Sequence, residues 1–447
     1  MSHTRQWTLR KPGDYTSCVL ELKRYRAWIV YAAGFPPYSP WTPPATARTP
    51  LRKPSLAILP FDSLSDEPGQ QYFCDGVAED LTTALSRFHW LFVAARNSAF
   101  RYKGQSVDVK QAGRELGVRY VLEASVRSAG ARVRINAQLI DTDRLGHVWA
   151  DQLDADMEDP FAAQDEIVAR IASTLAPEIL RTEIARAADA TASQLDAWGH
   201  YFLGLRGYFA MTEAELTAGI AHLELAVKEA PDFAMAHALT GLCHAHKAMH
   251  GWTRPAREAY ALARDLVRKA VHMAPASAEC VYALASVQLY TGQAREAVTT
   301  ARRAVELNPH YADGYAILGH ALIFCGELDD GIAACQRALK STPRDFRGSW
   351  LLDAIGHGYY FRGEYEKAIE LSQKGLQRDP GLFGALVTLA CANARLGRDR
   401  EARRAIDQLV RDIPRFSLSA VRKNPMVVDP ALIEQLLDGL RQAGLPE

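Results

Sequence analysis

No Cys-x-x-Cys pair occurs in the 447 residues, and the seven cysteines (Cys18, Cys74, Cys243, Cys280, Cys325, Cys335 and Cys391) are odd in number and scattered. That argues against a disulfide framework or a zinc ribbon and for a reducing compartment, so the cytoplasm is the expected location, with a periplasmic or membrane-associated one as the alternative. Net charge is also lacking: 52 Lys and Arg balance 52 Asp and Glu. The molecule as a whole therefore has no field of one sign to draw it to nucleic acid or to a membrane. Long apolar runs are missing near the start, where "AWIVYAAGF" from Ala27 to Phe35 falls well short of the roughly 20 residues of a spanning helix. There is no GxSxG, no P-loop, no GxGxxG and no Ser/His/Asp set that spacing recommends. No catalytic apparatus and no cofactor are expected.

What is present is an ordinary globular composition, 48% hydrophobic and 23% charged, long enough for two or three domains. The zero net charge hides an asymmetry. Residues 1–53 carry nine Lys and Arg against Asp14 and Glu21, with seven prolines and the aromatics Trp7, Tyr25, Trp28, Tyr31 and Trp41. Such an arm reads as a flexible linker. "KRYR" before the apolar run and "ATA" at 45–47 make a signal peptide conceivable. A basic, aromatic arm is also where binding of nucleic acid or anionic lipid would sit.

At Ser55 the texture changes. "SLAILPF" (55–61) and "LFVAAR" (91–96) read as buried strands, separated by a helix over 72–88 with Val77, Leu81, Ala84 and Leu85 on one face. A second helix spans 107–116 and stops at Gly117. Extended segments follow at 120–128, 132–140 and 146–154, the first two joined by a turn at 129–131. In the middle one Val133, Ile135, Ala137 and Leu139 alternate with Arg132, Arg134, Asn136 and Gln138, as in a strand with one wet face. A helix from Pro160 to about Leu180 closes an α/β domain over 54–180, and 181–197 reads as a linker.

The segments "KPSLAILPFDSLSDEPGQQYFCDGVAEDLTTALSRF", "ARNSAFRYKG", "ELGVRYVLEASVR", "INAQLIDTDRLGHVWADQLD" and "FAAQDEIVARI" occur in that order. Together they resemble the TolB-like (FlgO-like) domain of bacterial multidomain regulators. In those relatives the domain follows an adenylate/guanylate cyclase domain or an OmpR-type winged helix and precedes tetratricopeptide repeats. The resemblance implies a regulator lacking its output domain, or one whose start codon has been placed late.

The second half is governed by a period. Prolines at 231, 275, 309, 343, 380 and 414 step by 44, 34, 34, 37 and 34, and 34 is the length of a two-helix tetratricopeptide unit. About six units are readable over 198–425. Small residues recur where the two helices of a unit cross, including Gly207, Ala226, Ala285, Ala304, Gly319, Ala338, Gly356 and Ala368. "PALIEQLLDGL" (430–440) reads as an amphipathic helix within a capping segment, 426–447, that would close the open end of the stack. The fold class is thus multidomain, an α/β domain followed by an all-α superhelix.

By resemblance to the repeat family, fixed positions of the first helix of each unit line a concave groove. Here those positions hold Tyr282, Leu289, Tyr290, His320, Ile323, Phe324, Trp350, His357, Tyr360 and Phe361. An aromatic groove suits a protein or peptide partner. The expected function is a non-catalytic regulatory scaffold. The alternatives are a cyclase-related signalling protein without its catalytic domain in this chain, and a nucleic-acid-binding regulator acting through the arm.

Two clusters invite a metal reading. Asp62, Asp66, Asp75, Glu79 and Asp80 flank or open a predicted helix, where carboxylates suit the positive end of the dipole. "CHAHKAMH" (243–250), with His237 upstream, places His237 and His244 on one helical face and His246 and His250 on another, at about 100° per residue. The expectation is two core histidines, two groove or surface ones, and no metal.

Overall fold

The computed structural model describes residues 52–65, 69–105, 108–341, 348–413, 416–423 and 426–447. The expectations for the basic arm, and for Asp66, fall outside them. Strand β1 (Ser55–Ile58) is buried along Leu56, Ala57 and Ile58. Pro60 has no N–H to contribute to a ladder. The apolar run over 55–61 is interrupted at that proline, and β2 (Asp62–Ser63) resumes beyond it. Both pieces run parallel to β4 (Tyr120–Ala129), in register at Leu56↔Tyr120 and Asp62↔Ser125. The strand expected over 91–96 shrinks to β3 (Phe92–Val93), because it meets only Ser55 and Leu56 of β1 before the chain turns into a helix at Arg96.

Strands β5 (Arg132–Asp141) and β6 (Gly146–Asp156) add antiparallel to β4, so the mixed sheet has the order β3-β1-β4-β5-β6 with β2 beside β4. The alternation in β5 is as expected: Val133, Ile135, Ala137 and Leu139 are buried while Arg132 and Arg134 are exposed. That inner face packs with helices α1 (Gln70–Ser86) and α4 (Pro160–Ala188) through Val77, Leu81, Leu85, Ile167, Ile171 and Leu175. The short helices α2 (Arg96–Phe100) and α3 (Val109–Leu116) form a separate small core with Ala57, Leu59, Val118 and Val121. Asp108 caps α3, accepting from the Lys110 N–H at 2.9 Å, and Gly117 ends it at φ 66°.

Helix α4 is longer than expected. It begins with Asp159 as cap and Pro160 in its first turn, and runs past Pro177 to Ala188, so residues 181–188 are helix rather than linker. The extension delivers Glu183 into the sheet. Its carboxylate is fully buried, accepts from Arg119 Nη1 at 2.8 and 2.7 Å, and accepts from the Tyr120 hydroxyl at 2.5 Å.

Six helical hairpins follow. They are α5 (Ala197–Ala210) with α6 (Glu213–Glu229), α7 (Ala234–Met249) with α8 (Ala256–Met273), and α9 (Ala278–Tyr290) with α10 (Ala294–Leu307). After them come α11 (Ala312–Phe324) with α12 (Leu328–Ser341), α13 (Gly348–Phe361) with α14 (Tyr365–Arg378), and α15 (Phe383–Arg395) with α16 (Asp399–Asp412). Each hairpin packs on the next to form a tetratricopeptide-like superhelix. The small residues let the two helices touch: a Cβ on Gly319 would lie 2.3 Å from Cys335 Sγ and 2.7 Å from the Gly331 carbonyl oxygen. The first helix of each pair is buried on most sides, and successive first helices from α7 to α15 also pack on one another, forming the inner layer.

After α17 (Leu418–Arg422), helix α18 (Pro430–Gln442) forms where the amphipathic pattern places it, capped by Asp429. It lies on α15 of the last hairpin and reaches the end of α13, the segment before it reaches the end of α11, and the tail beyond it meets α16, where Arg403 Nη1 donates to the Gly444 carbonyl at 3.1 Å. The cause is a matching inner surface of Tyr360 and Cys391, against which Gly439 fits closely.

Candidate functional site

The inner layer carries a row of rings. Starting from α5, Tyr208 meets His246 edge-on at 5.2 Å, and His246 meets Tyr290 edge-on at 5.2 Å. Further along, His320 stacks on Trp350 at 3.8 Å, His320 approaches Phe324 at 6.0 Å, Phe324 approaches His357 at 6.2 Å, and His357 approaches Phe361 at 6.4 Å. The helical spacing explains the row, because residues four apart on one helix lie on one face and neighbouring units repeat the register.

Of the ten residues expected to line a groove, ring contacts join His320, Phe324, Trp350, His357 and Phe361 in one group, Tyr290 meets His246 in another, and most of the ten are covered. Leu289, Tyr290, His320, Ile323, Phe324, Tyr360 and Phe361 are buried, whereas Tyr282, Trp350 and His357 are half-buried. Two parts of the same chain contribute to the covering. At one place the loop after α1 abuts α9: the His89 N–H donates to Glu279 Oε1 at 3.1 Å, and Phe88 meets Tyr311 edge-on at 6.4 Å. At the other, the segment leading into α18 crosses the end of α11, with the Val428 N–H donating to the Phe324 carbonyl at 3.2 Å, and α18 itself crosses the end of α13, with Tyr360 Oη donating to the Gln435 carbonyl at 2.8 Å.

Asp353 belongs to this face and was not singled out from the sequence. It is buried, and its Oδ1 lies 3.2 Å from His357 Nδ1. Burial works against a charged His357, whose Nδ1 lies 3.0 Å from the Asp353 main-chain carbonyl, yet the charge of the Asp353 carboxylate beside it raises the imidazole above its ordinary pKa. His320 goes the other way: burial pulls it down to about 4. The signal for Asp353 was available, since it occupies a groove position of its unit, but an acid among aromatic neighbours reads as a solvated residue until the fold encloses it.

The histidine-rich stretch is distributed over two helical faces, with two differences from expectation, at His244 and His246. His237 is buried, its Nε2 3.0 Å from the Pro231 carbonyl, while His244 is half-buried. His246, expected at the groove or surface, is 5% exposed, with Nδ1 unpartnered and burial pulling its pKa down to about 3. His250 stacks on Trp252 at 4.5 Å. Among the described residues no group of three or more His, Cys, Asp or Glu is placed to hold a metal ion.

The acidic cluster is likewise dispersed into separate bonds. Asp75 pairs with Lys103, Glu79 lies 3.4 Å from Arg96, and Asp80 accepts from Gln164. A cleft of about 710 Å³ opens on the wet face of the sheet, bordered by Asp62, Tyr102, Glu123, Asn136, Gln138 and Gln152. Its described lining holds no histidine, cysteine or lysine. Six described thiols are free, and no described helix is long and apolar enough to cross a membrane.

Residues 282–346 match the tetratricopeptide repeat family. A stretch of 146 residues, 30% of this chain, is 50% identical to a protein described as "Putative adenylate cyclase 3" from Rhizobium meliloti (strain 1021), and covers 25% of it. The match thus spans a quarter of that relative's length. Among solved structures the chain is similar to YrrB, a TPR protein with an unusual peptide-binding site, at 23% identity over 43% of this chain and 90% of that one, with a TM-score of 0.28. It is similar to a thermophilic TPR protein of Thermus thermophilus at 22% identity, covering 42% and 93% with a TM-score of 0.33. PilW, a type IV pilus biogenesis factor, is 16% identical, with coverage of 51% and 96% and a TM-score of 0.38.

Proposed function

We propose that this chain is a non-catalytic regulatory scaffold of bacterial signalling, which binds a protein or peptide partner on the inner face of its tetratricopeptide repeats. The observation that carries this reading is the ring-lined inner face, with its buried Asp353–His357 pair. A stack that only had to hold itself together could use aliphatic side chains there. A buried acid is costly unless it is paired and hydrogen-bonded, so packing alone does not account for its place among the rings. Tyr282, Trp350 and His357 are the members within reach of a partner, and aromatic anchors of this kind dominate binding energy where proteins meet.

The α/β part is read as a TolB-like domain, and the signalling role as that of the cyclase-associated or winged-helix-associated regulators it resembles. The similarity to the Rhizobium meliloti protein supports a cyclase-related context and favours it over transcriptional control. The cytoplasm remains the proposed compartment, in keeping with the free thiols.

The experiment is capture from a bacterial extract by the immobilised full chain, compared with Trp350→Ala, Tyr282→Ala and the outer-face control Arg302→Ala. A protein retained by the parent and by Arg302→Ala, and lost with Trp350→Ala or Tyr282→Ala, is the expected result. Equal retention by all four would remove the inner face as the binding surface. Purified chain given ATP or GTP with manganese is expected to form no cyclic nucleotide, and product formation would replace the scaffold reading with an enzymatic one.

A further inference from the structure

The segment 426–442 stands where the repeat positions were expected to take a partner, and the way it is held says what that surface recognises. Its bonds run largely through the main chain. The Gln435 carbonyl accepts from Tyr360 Oη at 2.8 Å and from Arg395 Nη2 at 3.3 Å, and the Leu436 carbonyl lies 3.7 Å from Cys391 Sγ. Gln435 Nε2 donates in return to the carbonyls of Tyr360 and Phe361 at 3.2 and 3.3 Å. Leu432, Leu437 and Leu440 are buried, and Glu434, Asp438 and Arg441 face water.

Gly439 makes this arrangement possible. It lies one turn after Gln435, so its side-chain position stands beside the carbonyl that Tyr360 contacts. A Cβ there would be 2.5 Å from Tyr360 Oη and 2.9 Å from Cys391 Cβ. The surface thus selects a helix with leucines on one face and a glycine at the closest approach, and most of its hydrogen bonds go to backbone atoms that any such helix offers.

We propose that the inner ends of α11, α13 and α15 form a receptor for an amphipathic partner helix of that kind, and that α18 is a tethered stand-in which the partner displaces. This inference rests on the inner-face reading above and names the chemistry of its ligand. Tethering keeps the apolar seat covered in the free protein, and it sets a threshold of partner concentration or affinity that must be exceeded before the seat is released.

Cys391 reports the state of the seat, since it lies beneath α18 and burial pushes its thiol up to about 12. In the full chain, alkylation followed residue by residue with mass spectrometry should find Cys391 protected. Gly439→Leu should speed its modification roughly tenfold or more, with Cys243, Cys280 and Cys335 still protected. A synthetic peptide of residues 426–447 should restore protection of Cys391 in that variant, and the same peptide carrying Gly439→Leu should not. Tyr360→Phe, which keeps the ring and removes one bond to Gln435, is the milder second variant and should give a smaller acceleration that the peptide reverses.

If Cys391 stays protected in both variants, or if all buried thiols react together and the peptide protects none, α18 is an integral part of the fold and the proposal is overturned. Conversion of Gly439→Leu or the parent into a dimer by exchange of α18 would name a second copy as the occupant and also overturn it. Failure here is separable from failure of the inner-face reading, because the capture experiment is read at Trp350, about 15 Å along α13 from Tyr360 at the helical rise.

Discussion

Among single residues, the histidines of the inner layer make the sharpest prediction. His246 and His320 have folded-state pKa values lowered to about 3 and about 4, in both cases chiefly by burial. An unfolded histidine titrates near 6.5, so the unfolded chain takes up protons first as pH falls. The stability they contribute as neutral rings is intact above that value and is lost as pH drops toward their folded pKa values. Each costs about 1.4 kcal/mol per pH unit once well inside the window. His357, raised by Asp353, works in the opposite sense and offsets part of the loss in acid. Melting temperature should therefore fall between pH 6.5 and 5, and His246→Gln with His320→Gln should flatten that slope. An unchanged slope in the double variant would show that other groups drive the acid response. The helical face of His246 was legible in the sequence, but its burial was not, because enclosure by Tyr208 and Tyr290 depends on how tightly neighbouring units curve together.

Among elements, the strands and repeat helices were legible because each carries its own period. The two-residue alternation of β5 and the recurrent small residues at the helix crossings are local signals, and the structure uses them as expected. Elements were misread where a partner far along the chain decides the outcome. The apolar face of α4 reads only to about Leu180, whereas Arg119 and Tyr120, distant in sequence, hold Glu183 on the part of the helix beyond it. Glu183→Ala would leave the Arg119 guanidinium and the Tyr120 hydroxyl buried without their acceptor. A loss of about 3–5 kcal/mol is expected in chemical denaturation of the α/β part, and a loss under about 1 kcal/mol would mean that water replaces the carboxylate. The amphipathic pattern of α18 likewise announced a helix but not its seat, since Gly439 acquires meaning only against Tyr360 and Cys391.

In the molecule as a whole, the sheet-bearing part and the helical stack meet through His89 and Glu279, 190 positions apart in the chain. No local pattern in the sequence could indicate that contact. It places the α/β part against the same inner layer that α18 covers farther along, so both flanks of the repeats contact the candidate binding face. Whether the inner face is where a partner binds is decided by photo-crosslinking in bacterial cells, with a benzoylphenylalanine placed singly at 282 or 350 on the inner face and at 302 on the outer face. A discrete crosslinked partner is expected from 282 and 350 and none from 302. Crosslinks from 302 alone, or equally from all three positions, would refute binding at the inner face.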